Sequence, residues 1–141
     1  TYANLGQTEN TSRFKDFAKR LEGWNSTLLY KDDYDNQIIE SVIPKSEEIV
    51  LTKTTDSALA GSNVRLTLNN LSIKTVVCAG IFSDQCVSST VLSLSDESFE
   101  VIVPHDATPA GTKEIHNAKL MIINHIYCTV FSTKRIIEIL H

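Results

Sequence analysis

Cysteine is scarce in this chain, and the residues present are badly spaced for cross-linking. Cys78, Cys86 and Cys128 are the three cysteines among 141 residues, too few and too irregular for a disulfide framework. Metal-ligand pairs of the CxxC or HExxH type are missing, and His105, His116, His125 and His141 form no ligand cluster in sequence. No metal and no cofactor are therefore expected. An excess of positive charge is also lacking. Thirteen Lys and Arg against 17 Asp and Glu give a net charge of −4, which argues against a nucleic-acid partner or an anionic membrane. No apolar run approaches the ~18–20 residues needed to span a bilayer. The polar opening TYANLGQTEN does not read as a signal peptide. Without a leader or a disulfide pattern, the expected setting is the reducing cytoplasm. No internal repeat or low-complexity tract is found.

What is there reads as an ordinary globular domain, 42% hydrophobic and 21% charged, and its length fits one domain over 1–141. SRFKDFAKRLEGW places Phe14, Phe17, Ala18 and Leu21 at helical spacing, with Ser12 as N-cap and Gly23 as stop. IIESVIP predicts a short helical turn before Pro44. EEIVLTK (47–53) predicts a strand ending near Lys53. In NVRLTLNNL, the residues Val64, Leu68 and Leu71 line one helical face. KTVVCAG (74–80) is a continuous apolar run, as in a strand covered on both faces. A helix over DQCVSSTVLSLSDE, with Val87, Val91 and Leu94 inward, leads to the strand FEVIVP (99–104). GTKEIHNAKLMIINHI reads as helix, YCTVFS as strand and TKRIIEIL as a closing helix. Four strands alternating with helices predict a three-layer α/β/α sandwich with a mainly parallel, Rossmann-like sheet. A sheet of this kind that starts with a loop and a helix lacks its first strand, so the chain is expected to be without an N-terminal βαβ portion.

The stretch CAGIFSDQCVSST (78–90) carries the chemistry. Open parallel sheets place active sites beyond the carboxyl ends of their strands. Lys53, the segment Gly80 to Cys86, and Asp106 each follow a predicted strand in this way. With Ser83 as N-cap, Asp84, Gln85 and Cys86 become the first helical residues. The free N–H groups and the dipole there favour a thiolate. The same groups can hold an oxyanion formed by attack on a carbonyl. Pattern alone also fits a buried core cysteine, which is how Cys78 and Cys128 read. It fits Lys53 as a solvated strand end and Asp106 as a loop cap just as well.

VVCAGIFSDQCVSSTVLSLSDESFEVIVPHDAT resembles the core signature of the isochorismatase-like cysteine hydrolases. That superfamily includes nicotinamidases, ureidoacrylate and biuret hydrolases, and N-carbamoyl amidases. The upstream VLTKTTDSALAGSNVRLTLNNLSIKTVVCAG resembles the family's lysine segment, with Leu59 and Ser62 where Phe and Thr are common. The likeness runs from about residue 40 to the end. It implies a Rossmann-like α/β fold and an Asp–Lys–Cys triad. Cys86 is then the nucleophile that forms a thioester, and Lys53 stabilises charge. The backbone N–H groups of Phe82 and Cys86 form the oxyanion hole, beside a cis peptide at Ile81–Phe82. Phe82 and Gln85 would wall the substrate pocket, with Trp24 or Tyr34 as further candidates. The family's aspartate ends its first strand, and Asp16, Asp32, Asp33 and Asp35 do not fit that context.

Retention of the cysteine favours cleavage of a C–N bond in an amide, ureide or carbamoyl group of a small molecule. Vinyl-ether hydrolysis of the isochorismatase type, and a catalytically inactive binding module of the same fold, are the alternatives. A redox thiol at Cys86 fits less well, since Cys78 and Cys128 read as core rather than as resolving partners. The resemblance also implies a homo-oligomer, a dimer or a tetramer.

Overall fold

The computed structural model describes residues 34, 37–53 and 55–140. The helix predicted over 12–23 and Trp24 lie outside them. The chain divides into two compact units, residues 1–55 and 56–141.

In the first unit, IIESVIP forms a short 3-10 turn at Glu40–Val42, as its spacing before Pro44 predicts. The strand expected over 47–53 is corrected: residues 49–52 have no regular structure, and Lys53 makes an isolated bridge. An apolar run becomes a strand only where a neighbour pairs along its length. Ile49 and Val50 are instead each 59% exposed.

The second unit alternates helix and strand as its sequence implies. Helix α1 spans Val64–Asn70, β1 Thr75–Val77 and α2 Ser88–Asp96. Strand β2 follows at Glu100–Pro104, then α3 at Lys113–Ile126, β3 at Thr129–Phe131 and α4 at Thr133–Leu140. The three strands form a parallel sheet in the order β1-β2-β3. Val76 pairs with Val101, and Val103 with Val130. This is an α/β architecture whose described sheet has three strands, not the four expected.

Leu59, Val87, Val91, Leu94, Val101, Val103 and Ile123 form the core. Val101 and Val103 are buried on one face of β2, while Val91 and Leu94 come from the inward stripe of α2 and Val87 from the residue that caps it. Each such side chain contributes on the order of 1.5–3 kcal/mol by leaving water. Two expectations fail at the sheet edge and on α1. Thr75 and Val77 are exposed, so β1 is not covered on both faces within the described structure, and Leu71 is 56% exposed.

Both α1 and α2 end in the same motif. The Ile73 N–H donates to the Leu68 carbonyl and Ser72 N–H to Asn69; Phe99 N–H donates to Leu94 and Ser98 N–H to Ser95. Ser72 (φ 55°) and Ser98 (φ 66°) take the left-handed conformation that this ending requires. A side chain there costs roughly 1–2 kcal/mol against the αR region, a cost glycine escapes. Ser98→Gly is expected to stabilise the protein by about 0.5–1 kcal/mol, read as a higher denaturation midpoint at unchanged slope.

Candidate active site

Between β1 and α2 the chain must turn from the carboxyl edge of the sheet into a helix within a few residues. Cys78 N–H still pairs with the Ile102 carbonyl. Gly80 then turns the chain at φ +143°, where a Cβ would meet little, only Val87 Cγ2 at 3.7 Å. Glycine is required there by the backbone and not by space. The Ile81–Phe82 peptide bond is cis, at the position the resemblance names.

The turn that follows differs from the sequence reading. Ser83 does not cap a helix that begins at Asp84. Residues Ser83–Val87 form a π-type turn broken at Gln85 (φ −121°, ψ −106°), and regular α-helix starts only at Ser88. The physical reason lies at one carbonyl. Phe82 O accepts from both Gln85 N–H (3.1 Å) and Val87 N–H (3.2 Å), which prevents the regular i→i−4 ladder from starting. Cys86 therefore precedes α2 by two residues, still at the end where the dipole favours an anion.

Cys86 is partly buried and packs against the core. Its Sγ donates to the Ile81 carbonyl at 2.9 Å. Thr90 Oγ1 donates to the Cys86 carbonyl at 2.7 Å and accepts from Ala58 N–H at 3.0 Å. Ser88 Oγ bonds the Gln85 carbonyl. Phe82 and Gln85, the pocket candidates, lie in the same turn, each partly exposed. Among the described residues none accepts from the Phe82 N–H. That leaves a donor at the position the resemblance gives to the oxyanion hole.

Lys53 belongs to the first unit. It is only 7% exposed, so the solvated-end reading fails, and its Nζ donates to the Thr55 carbonyl at 2.9 Å. A buried ammonium is costly unless its donors are used. Tyr34, the aromatic candidate in that unit, is 90% exposed. Asp106 follows β2 as predicted, but its Oδ1 accepts from Thr133 N–H (2.8 Å) and Thr133 Oγ1 (2.7 Å). It ties the end of β2 to the start of α4, the loop-cap alternative.

Two features escaped the sequence reading. Ser83 is fully buried, and its Oγ lies 3.0 Å from Nδ1 of His116 in the first turn of α3. Asp84 Oδ1 is buried with no hydrogen-bond partner among the described residues, an acceptor beside the cysteine that an incoming donor would satisfy. The stretch CAGIFSDQCVSST draws attention to the cysteine, and nothing local in sequence points from residue 83 to residue 116.

The family follows from sequence and fold together. An isochorismatase domain model matches residues 8–135, so this chain belongs to the isochorismatase family. The match begins earlier than the residue-40 boundary read from the motifs. An isochorismatase family protein of Bacillus subtilis, YrdC, is 27% identical over 94% of this chain and 86% of its own. The ureidoacrylate amidohydrolase RutB of Methylobacterium radiotolerans is 30% identical over 73% of this chain and 40% of its own. An N-carbamoylsarcosine amidase of Arthrobacter is 28% identical over 79% and 42%. The chain thus spans less than half the length of those two amidohydrolases. The fold is shared with an isochorismatase-like hydrolase from Alkaliphilus metalliredigens (TM-score 0.77, 22% identity, covering 90% of this chain and 82% of that one). A cysteine hydrolase from Pseudomonas syringae superposes with a TM-score of 0.82 at 20% identity, over 95% and 66%.

The three cysteines are distinguished by their surroundings. Burial pushes the Cys78 thiol up to about 12, with the neighbouring Cys86 and Cys128 sulfurs acting in the same direction. Burial pushes Cys128 up to about 11. At pH 8 both remain protonated, and the thiolate is the nucleophile. Iodoacetamide at that pH is expected to modify Cys86 ahead of Cys78 and Cys128, read by peptide mass mapping over time. Asp106 supplies a pH test of a different kind. Hydrogen bonds from Thr133 hold its carboxyl below the usual 3.8, so its contribution is present above that value and lost as pH falls through the lower folded one. Asp106→Asn is expected to lower stability at pH 5–7, the difference closing in strong acid, as followed by denaturation at a series of pH values.

Proposed function

We propose that this chain is a cysteine-dependent hydrolase that cleaves a C–N bond in an amide, ureide or carbamoyl group of a small molecule. The observation that carries the reading is the placement of Cys86. It stands in a broken turn at the carboxyl edge of a parallel sheet, partly exposed, four residues after Phe82, whose N–H has no acceptor among the described residues. The names of the amidohydrolase relatives support the reaction class.

In this mechanism the Cys86 thiolate attacks the carbonyl carbon, and the oxyanion is held by the N–H groups of Phe82 and Cys86. Collapse of the tetrahedral species breaks the C–N bond, and the leaving nitrogen departs with a proton. Water then adds to the thioester, releases the acid and returns the thiol. Lys53 stabilises the negative charge in both halves. Proton transfer requires a general base and acid, the role the family gives to an aspartate, which none of the described residues fills. Phe82 and Gln85 would line the pocket. The site as proposed calls for no metal.

A panel of small amides, ureides and N-carbamoyl compounds, scored by release of ammonia or amine, tests the proposal. Cys86→Ala is expected to reduce turnover by at least ~10³-fold, and Lys53→Ala by roughly 10²-fold. A thioester adduct on Cys86 is expected by intact mass in a rapidly quenched reaction. Activity that survives in Cys86→Ala would overturn the cysteine mechanism in favour of vinyl-ether-type chemistry. A panel with no substrate and an unreactive Cys86 would leave a binding module.

A further inference from the structure

The turn that presents Cys86 is not held by a regular helical ladder, so something else must fix it. The bonds that do so run to the segment between β2 and α3. Gly80 N–H donates to the Ala107 carbonyl (3.3 Å), and Ser83 N–H to the Pro109 carbonyl (2.8 Å). The third bond is between side chains, Ser83 Oγ to His116 Nδ1 at 3.0 Å. With His116 in place Ser83 is 0% exposed, and a buried hydroxyl needs a partner.

Resting on the nucleophile assigned above, we propose that His116 is a positioning residue, acting through Ser83 to hold the turn in which Cys86 attacks. The geometry has the elements this requires. His116 sits on α3, a helix of 14 residues capped by Thr112, whose side chain accepts from Ile115 N–H. α3 packs on the turn and on α2 and buries Ile123 in the core, so it is a rigid support. Ser83 opens the turn, and Gln85, where the backbone leaves helical geometry, lies between it and the nucleophile. Ser83 and Cys86 belong to one five-residue turn, so a shift at Ser83 is passed along it to the nucleophile. Truncating His116 takes from the Ser83 hydroxyl the side-chain partner it has here, which the turn relieves by shifting. A displacement near 1 Å at a reacting atom is enough to cost about 10²-fold in rate.

The test compares wild type, His116→Ala, His116→Asn, Ser83→Ala and the double Ser83→Ala/His116→Ala variant in the full chain. Two readouts are used: the iodoacetamide rate at Cys86, and kcat and KM on an amide that the wild type hydrolyses. His116→Ala is expected to lower both the alkylation rate and kcat by ~10–100-fold with KM within about threefold. His116→Asn, which keeps a polar atom near the Nδ1 position, is expected to recover most of that loss. The double variant is expected to lose no more than the worse single variant, because the two residues act through one bond. Losses that add in full, or an alkylation rate in His116→Ala equal to wild type, overturn the proposal. Should His116→Ala fail to fold, Ser83→Ala decides, since it removes a single oxygen; a wild-type rate there overturns the proposal too. A wild-type Cys86 that does not alkylate marks failure of the nucleophile reading itself, and the His116 assignment falls with it.

Discussion

One carbonyl sets the shape of the region on which the chemistry depends. Phe82 O takes two backbone donors, from Gln85 and Val87, where a regular helix would give it one. The second bond closes a wider loop of chain, forces Gln85 out of helical geometry and delays the start of α2 to Ser88. As a result Cys86 lies outside the helix it precedes. Its thiol points back to the Ile81 carbonyl, not along a helical face. Such insertions into helices recur at functional sites, because they aim a side chain that regular geometry would leave on the helix flank.

The fold exists to hold that carbonyl still. Parallel pairing fixes β1 against β2, and β2 against β3, so the carboxyl ends of β1 and β2 lie side by side. That places the loop after β1 next to the loop after β2, and their hydrogen bonds at Gly80 and Ser83 follow from adjacency in the sheet. On the other side, Val87 at the end of the turn and Val91 and Leu94 of α2 are buried in one core with Val101 and Val103. The turn is thus clamped between a packed helix and a paired strand. Thr90 extends the clamp to Ala58, linking the cysteine's own carbonyl to the loop before α1.

What was legible in the sequence was whatever depends on periodicity. The α2 stripe, the buried strand β2 and the order of helices and strands in the second unit all follow from spacing and apolar runs. The strand over 47–53 did not form along its length, because an apolar run reports burial preference and says nothing about a pairing partner. Leu71 fits the face of α1 by spacing and is exposed, since it is the residue at which that helix ends. The matched endings of α1 and α2 were open to reading: Leu, three residues, Ser, then Ile or Phe occurs at 68–73 and again at 94–99. Serine conceals the signal that glycine would have given. At the candidate site, motif and spacing drew attention to Cys86, but the broken turn is set by a bifurcated carbonyl that no residue type specifies. The Ser83–His116 pair spans two elements and is visible only once the sheet brings them together.

The three cysteines sit in different surroundings. Cys78 continues β1 and Cys128 sits between α3 and β3, and burial raises the cost of charge on both. Cys86 also touches the core, so burial by itself does not set it apart. The difference is what surrounds the sulfur: a helix start on one side and, on the other, the Phe82 N–H, which has no acceptor among the described residues. Two positions before the cysteine, Asp84 Oδ1 is buried with no hydrogen-bond partner among the described residues. Uncommitted polar groups lower stability, and they persist where a ligand or a transition state completes them.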